Sequence, residues 1–186
     1  TCALPIYTYG WTADLTEHQK AIQAARYIHT TFVDAKANAF LWWGLIYSLA
    51  PDTEKNENVR QKHRDEGLVL VTAPANQVGD HQAFVERTKK FHVFSQYSKF
   101  IHPGYKRLHL DAVSGVHASA YLGEDDNRLV AVVINDTDTS KAISIQVDVG
   151  YEFVSAYQTD QSLNCEPIGT DAVLPPQSVR TVVFQK

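Results

Sequence analysis

Ser98-Lys99-Phe100-Ile101-His102-Pro103-Gly104-Tyr105-Lys106-Arg107 is the stretch on which the fold turns. Pro103 has no backbone N–H and stops a helix, and Gly104 frees the chain to change direction. Before it the sequence has helical texture, and after it short β-branched or alternating runs follow one another. The spacing predicts strands at Lys106 to Leu110, Val116 to Leu122, Leu129 to Ile134, Ile143 to Val149, Phe153 to Gln158 and Val179 to Phe184. Turn residues separate them, at Gly123 to Asn127, Asn135 to Ser140 and Gly150, a pattern that reads as an antiparallel sandwich or barrel.

Working back toward the start, a helix is expected from about Val85 to Ile101, carrying Phe91, Phe94, Ser98 and Ile101 on one side. Gly67 to Val71 fits a short strand, and Asp52 to Glu66, with nine charged residues of 15, reads as an exposed loop. Ala39 to Trp43 is uniformly nonpolar, as in a strand covered on both faces. Ahead of it Ala21, Ala25, Ile28, Phe32 and Ala35 recur at helical spacing, predicting a helix to about Lys36, capped by Asp14 or Thr16. Ala3 to Thr8 reads as a buried strand, and strand, helix, strand in this order is a βαβ unit.

Composition narrows the function. The chain has 186 residues, 44% hydrophobic and 20% charged, with 17 basic and 21 acidic side chains and a net charge of -4. That is a globular composition without the basic excess of a nucleic-acid binder. The most apolar stretch, Ala39 to Ala50, is shorter than the ~18 residues that a bilayer span requires. The chain opens on Thr1 with no leader pattern and reads as a mature or truncated product. Cys2 and Cys165 fit either one bridge or two unrelated buried thiols, the second being preferred, and exclude a disulfide scaffold. His18, His29, His63, His81, His92, His102, His109 and His117 have no metal-ligand spacing, and nucleotide or serine-nucleophile motifs are absent. No metal or cofactor is expected. Asn135-Asp136-Thr137 is an N-glycosylation sequon in an expected turn, which suits a secreted protein.

The junction stretch resembles the SKFxRPGYxR pattern of glycoside hydrolase family 30, with His102 where that family commonly has Arg. Ile28-His29 and Ala37-Asn38-Ala39-Phe40-Leu41-Trp42-Trp43 are similar to its last barrel helix and strand. Ala118-Ser119-Ala120-Tyr121 and Leu129 to Asn135 are similar to its sandwich strands, and Leu174-Pro175-Pro176-Gln177-Ser178-Val179-Arg180-Thr181 to its closing LPAxSVTT motif. The resemblance implies the C-terminal remnant of a (β/α)8 TIM barrel, residues 1–102, followed by an antiparallel β-sandwich, residues 103–186. A full barrel takes about 250 residues. Part of the sandwich and six β/α units are therefore expected from a missing N-terminal segment.

The implied activity is that of a secreted retaining β-glycanase acting on β-linked cell-wall polysaccharide, xylan first and β-1,6-glucan or galactan next. Such enzymes use two carboxylates about 5 Å apart. Leu4 to Thr12 resembles the family's seventh-strand pattern xPxWxTEWS, and Gly10 falls on the nucleophile, with Tyr9 replacing the neighbouring Thr. Asp14, the first acidic residue beyond it, is the alternative as a displaced nucleophile, and otherwise a helix cap. The acid/base belongs to a region outside this sequence, so the chain alone is expected to be inactive. The alternative is a catalytically degenerate carbohydrate-binding or structural module. Trp42, Trp43, Trp11, Tyr7 and Tyr47 are the candidate sugar-binding aromatics. Trp42 to Pro51 aligns on the WWYIRRSYGP stretch of the family's glucuronoxylanases, with Ile46 and Tyr47 in place of the two arginines that contact glucuronate. Neither offers a bidentate fork to a carboxylate.

Overall fold

A computed structural model describes residues 15–49, 55–72, 84–111 and 113–186. Helix α1 (Glu17–Val33) starts at Thr16, whose Oγ1 accepts from the Gln19 N–H at 3.2 Å while the Gln19 side chain accepts from the Thr16 N–H at 2.9 Å. This reciprocal capping box selects Thr16 as the cap. Ala21, Ala25 and Ile28 of the expected stripe are buried and Phe32 packs against the same core. The helix ends before Ala35, which is exposed.

Strand β1 (Ile46–Ser48) lies further along than the strand expected at Ala39 to Trp43. The ladder starts only where a partner exists: Gly44 O and Leu45 O accept from the N–H groups of Leu68 and Val69, and β1 then runs parallel to β2 (Val69–Thr72). The nonpolar run ahead of it serves side-chain packing instead, with Phe40 and Trp42 against Phe94. Between these strands the expected loop contains helix α2 (Glu57–Glu66), which buries no residue. Its periodicity is invisible because charge pairs replace an apolar stripe: Glu57 holds Arg60 and Arg64, and Asp65 holds Lys20 of α1 at 2.7 Å.

Strand β3 (Phe84–Arg87) pairs antiparallel with β2, so α3 (Lys89–Ser98) begins at the Thr88 cap and not at Val85. Its buried residues are Lys90, Val93, Gln96 and Tyr97, rotated from the Phe91, Phe94, Ser98 and Ile101 face. The two polar members are satisfied. Lys90 Nζ lies 2.8 Å from Glu17, and Gln96 donates to Thr159 Oγ1 at 2.9 Å while its Oε1 accepts from the Thr181 hydroxyl at 2.6 Å.

The remaining strands are β4 (Lys106–Leu108), β5 (His117–Leu122), β6 (Arg128–Asn135), β7 (Lys141–Ala142), β8 (Glu152–Thr159), β9 (Asn164–Ile168), β10 (Val173–Leu174) and β11 (Ser178–Gln185). Six form one antiparallel sheet in the order β4-β5-β6-β11-β8-β9, and β7 pairs with β10 apart from it. Alternation along β6 sends Val130, Val132 and Ile134 toward α1 and α3, in one core with Tyr121, Val179 and Val183. Val133 and Leu129 face the other side, where Ile143, Ile145 and Val147 pack. Ile143, Ile145 and Val147 are thus turned inward as their alternation predicts, but Val149 is exposed and the expected strand does not form, since only the Ile143 N–H bonds to β10's neighbour, Ala172 O. The unforeseen β9 contains Pro167, which is tolerated because this strand is the sheet edge. The chain is a mixed α/β structure with several sheets and few helices, and the main core draws on both sides of Pro103-Gly104. Among the described residues no helix is long and apolar enough to cross a membrane.

Two outcomes follow from this packing. Cutting the chain to residues 103–186 uncovers the six sheet side chains that face α1 and α3. At ~1.5–3 kcal/mol for each buried side chain, the loss is comparable to a whole domain's ~5–15 kcal/mol. The fragment should show collapsed amide dispersion by NMR; sharp, dispersed signals would contradict this packing.

The second outcome concerns pH. Burial holds His18, His29 and His92 below their ordinary basicity, and for His29 the neighbouring His117 adds to the effect. The folded chain therefore resists protons that the unfolded chain accepts near pH 6.5, so stability is complete above that pH and lost as pH falls below it. The melting temperature should drop between pH 7.5 and 5.5, and less steeply in the His18→Gln/His29→Gln variant. A flat profile in the parent chain would refute the cause.

Candidate functional site

Tyr7, Gly10, Trp11 and Asp14 lie outside the described residues, as does the expected strand at Ala3 to Thr8. Trp42, Trp43 and Tyr47 are described, and they gather around the start of β1. The two indoles have opposite fates. Trp42 is half-buried: its ring meets Phe94 edge-on at 5.0 Å and its N–H donates to Glu66 O at 2.5 Å, so its surface is spent on packing. Trp43 is 76% exposed. An exposed indole presents a flat apolar face of the kind that stacks on the C–H patches of a sugar ring.

Tyr47 sits within β1, not in a loop after it. Its ring stacks on His63 of α2 at 4.3 Å with 7° between planes. Gly44 lies close to the same ring, since a Cβ there would fall 2.1 Å from Tyr47 Cε2. The phenol donates to Glu66 Oε2 at 3.2 Å. Burial, then the Glu66 charge, raise the phenol's pKa, against a smaller pull from Trp43. Tyr47 is therefore a neutral donor that fixes the Glu66 carboxylate. Sequence reasoning missed Glu66 and His63 because both lie in the run read as a loop. The signal that was available is Asn56, whose side chain caps α2 by accepting from the Asn58 N–H at 3.0 Å.

The sequon residue Asn135 is fully buried at the end of β6. Its Nδ2 donates to Thr139 O at 2.8 Å, Leu174 O at 3.3 Å and Pro175 O at 2.8 Å, while Oδ1 accepts from the Thr137 N–H and hydroxyl. A glycan on that nitrogen would displace these bonds, so in the folded chain Asn135 works as a buried turn anchor.

Among the described residues no group of three or more His, Cys, Asp or Glu is placed to hold a metal ion. His29 and His117 stand 5.4 Å apart, with His117 Nε2 and Arg26 both on Asp136 at 3.2 and 3.1 Å, which ties α1 to the sheet. A hollow of about 230 Å³ on the opposite face of the sheet is bordered by Phe153, Thr170 and Asp171. Its buried Arg180 is already bonded to Gln158 and to the carbonyls of Asp171 and Val173.

No protein-family model matches the chain. Among curated proteins it is similar to the glucuronoxylanase XynC of Bacillus subtilis, 26% identical over 180 residues, which covers 90% of this chain and 35% of that protein. The chain thus spans about a third of the length of the curated relatives it matches. Among solved structures it is similar to a glycoside hydrolase family 30 subfamily 8 xylanase from Clostridium acetobutylicum, with TM-score 0.67 and 23% identity over 95% of this chain and 41% of that one. A family 30 endoxylanase from Clostridium papyrosolvens gives TM-score 0.62 at 24% identity, over 91% of this chain and 39% of that one. A conserved exported protein from Bacteroides fragilis gives 0.72 at 20%, over 98% and 37%. With the motifs around Pro103 and at Leu174 to Thr181, these likenesses make the chain a relative of glycoside hydrolase family 30, over a stretch consistent with the C-terminal part of its members.

Proposed function

We propose that the chain is the C-terminal portion of a secreted retaining β-glycanase that acts, when complete, on β-linked cell-wall polysaccharide, xylan first and β-1,6-glucan or galactan next. The observation that carries this reading is the likeness to a glucuronoxylanase across 90% of the chain. Trp43 adds an exposed ring of the kind sugars stack on. Secretion rests on the substrate class, since a wall polymer is met outside the cell; the buried Asn135 lends it nothing. The missing partner is an N-terminal barrel segment that brings the acid/base. It would also bring the strand neighbours for which the extended run Ile143 to Val149 has no sheet partner among the described residues. Strict glucuronoxylan specificity is not part of the proposal, because Ile46 and Tyr47 replace the paired arginines and Tyr47 is committed to Glu66.

Gly10 favours a second reading, in which the protein binds β-glycans without cleaving them. A hydrogen side chain cannot attack an anomeric carbon, and loss of one member of a catalytic pair costs several orders of magnitude in rate.

Hydrolysis separates the two. The chain alone should release no reducing sugar from xylan above background. Fused to the N-terminal barrel units of a family 30 xylanase, the chain should hydrolyse xylan on the first reading and stay nearly inactive on the second, where Gly10→Glu should raise activity by orders of magnitude with retention of anomeric configuration. Vigorous hydrolysis before the substitution would overturn the placement of Gly10. An inert Gly10→Glu fusion that still binds xylan would likewise overturn that placement.

A further inference from the structure

The loop between β8 and β9 carries an arrangement that the glycan reading leaves unused. Its oxygens turn toward one point: Asp160 O, Leu163 O and Gln161 O lie 2.9, 3.2 and 3.4 Å from Lys89 Nζ, and Asn164 Oδ1 lies 2.5 Å from it. The loop is pinned in that shape from within, since Asp160 Oδ1 accepts from the N–H groups of Ser162 and Leu163 at 2.7 and 2.8 Å while its Oδ2 accepts from Gln158 at 2.6 Å. Thr159 Oγ1 closes the far end by accepting from the Cys165 N–H at 3.0 Å. Oxygens that converge in this way repel one another unless a cation stands between them, which is the principle of oxygen-ligated ion sites. Lys89 is the first residue of α3, and the first turn of that helix holds no acidic residue. A positive charge there opposes the helix dipole. The demands of the helix therefore do not explain this lysine; the loop does.

We propose that Lys89 is an internal cation: its ammonium fills an ion site made by Asp160 to Asn164, and so straps α3 to the β8–β9 edge of the sheet. The ligands are neutral carbonyl and amide oxygens, so the site is of the class that takes an ammonium or potassium ion. Burial pushes the Lys89 pKa down, and the charges of Asp160 and Glu166 pull against that. The acceptor set matches the charged form, because an ammonium donates three hydrogen bonds whereas a neutral amine has two N–H groups and a lone pair that would face oxygen. Tethering the cation to a helix already docked on the sheet keeps its effective concentration high, so the site is filled whatever the salt. Its consequence is mechanical. β9 is the outer strand of the six, and the strap holds the turn from which that strand starts. An outer strand that works loose is a template for pairing with another chain.

The test begins with the unaltered 186-residue chain. In NMR of the lysine ammonium groups, the protons of Lys89 should exchange with water roughly tenfold more slowly than those of the exposed Lys106. Equal rates would overturn the proposal, and this reading needs no variant to fold. Lys89→Met then removes the charge and keeps the reach of the side chain. It should lower the melting temperature by about 3–10 °C and raise hydrogen exchange at the Ser162 and Leu163 amides roughly tenfold, whereas Lys106→Met should change neither. Lys89→Ala leaves room for a free ion. Added n-propylammonium should restore part of the lost melting temperature, and tetramethylammonium, which has the charge but no N–H, should restore none. A Lys89→Met chain as stable as the parent, or equal effects of the two added ions on Lys89→Ala, would overturn the role of Lys89 as a bound cation.

Discussion

The pairing of Arg128–Asn135 with Ser178–Gln185 is the constraint on which the rest of the structure depends. These strands match residue for residue along their whole length, at the centre of the six-stranded sheet. Because both of their faces are buried, a one-residue slip would exchange the two sets of side chains, so the register is strongly fixed. Val130, Val132, Ile134, Val179 and Val183 then present one continuous surface to α1 and α3. Three of the polar residues in this layer support it. Thr181 on the sheet bonds Gln96 of α3, and Gln96 in turn bonds Thr159 of the next strand, so these three buried groups answer one another, whereas the Tyr97 and Tyr121 hydroxyls in the same core have no hydrogen-bond partner.

From that layer a chain of contacts leads to the aromatic surface. With α3 fixed on the sheet, Phe94 is fixed, and it receives the edge of Trp42. The Trp42 N–H then sets the end of α2 through Glu66 O, and α2 returns His63 and the Glu66 carboxylate to either side of Tyr47. A second tether comes through α1, where Lys20 reaches Asp65 and Glu17 reaches the buried Lys90. The exposed Trp43 therefore stands on a scaffold, although its own loop has no regular structure. Rigid placement of a stacking ring lowers the entropy that binding must overcome.

Much of this was legible in the residues. The α1 stripe, the strands at Leu129 to Ile134 and Val179 to Phe184 and the likeness to family 30 are local signals, each carried by apolar periodicity or an ordered motif. The failures have physical reasons too. Ala39 to Trp43 is apolar because Phe40 and Trp42 fill space under α3, and composition alone does not distinguish that from a buried strand. Residues 57–66 form a helix without an apolar face, held by ion pairs to Lys20 and by the ring of Tyr47, and such tertiary support leaves no periodic trace. The α3 face was misjudged because Lys90 and Gln96 are buried, which hydrophobic pattern counts against. Asn135 shows the opposite hazard: a short motif matched, and the fold has put the same side chain to structural use.

On the function proposed above, this scaffold presents a surface for β-linked sugars at Trp43. A glycan array probed with the purified 186-residue chain tests it most directly. The account predicts retention on β-1,4-linked xylo-oligosaccharides, erased by Trp43→Ala. An array on which no β-linked glycan is retained, or on which retention is indifferent to Trp43, would contradict it.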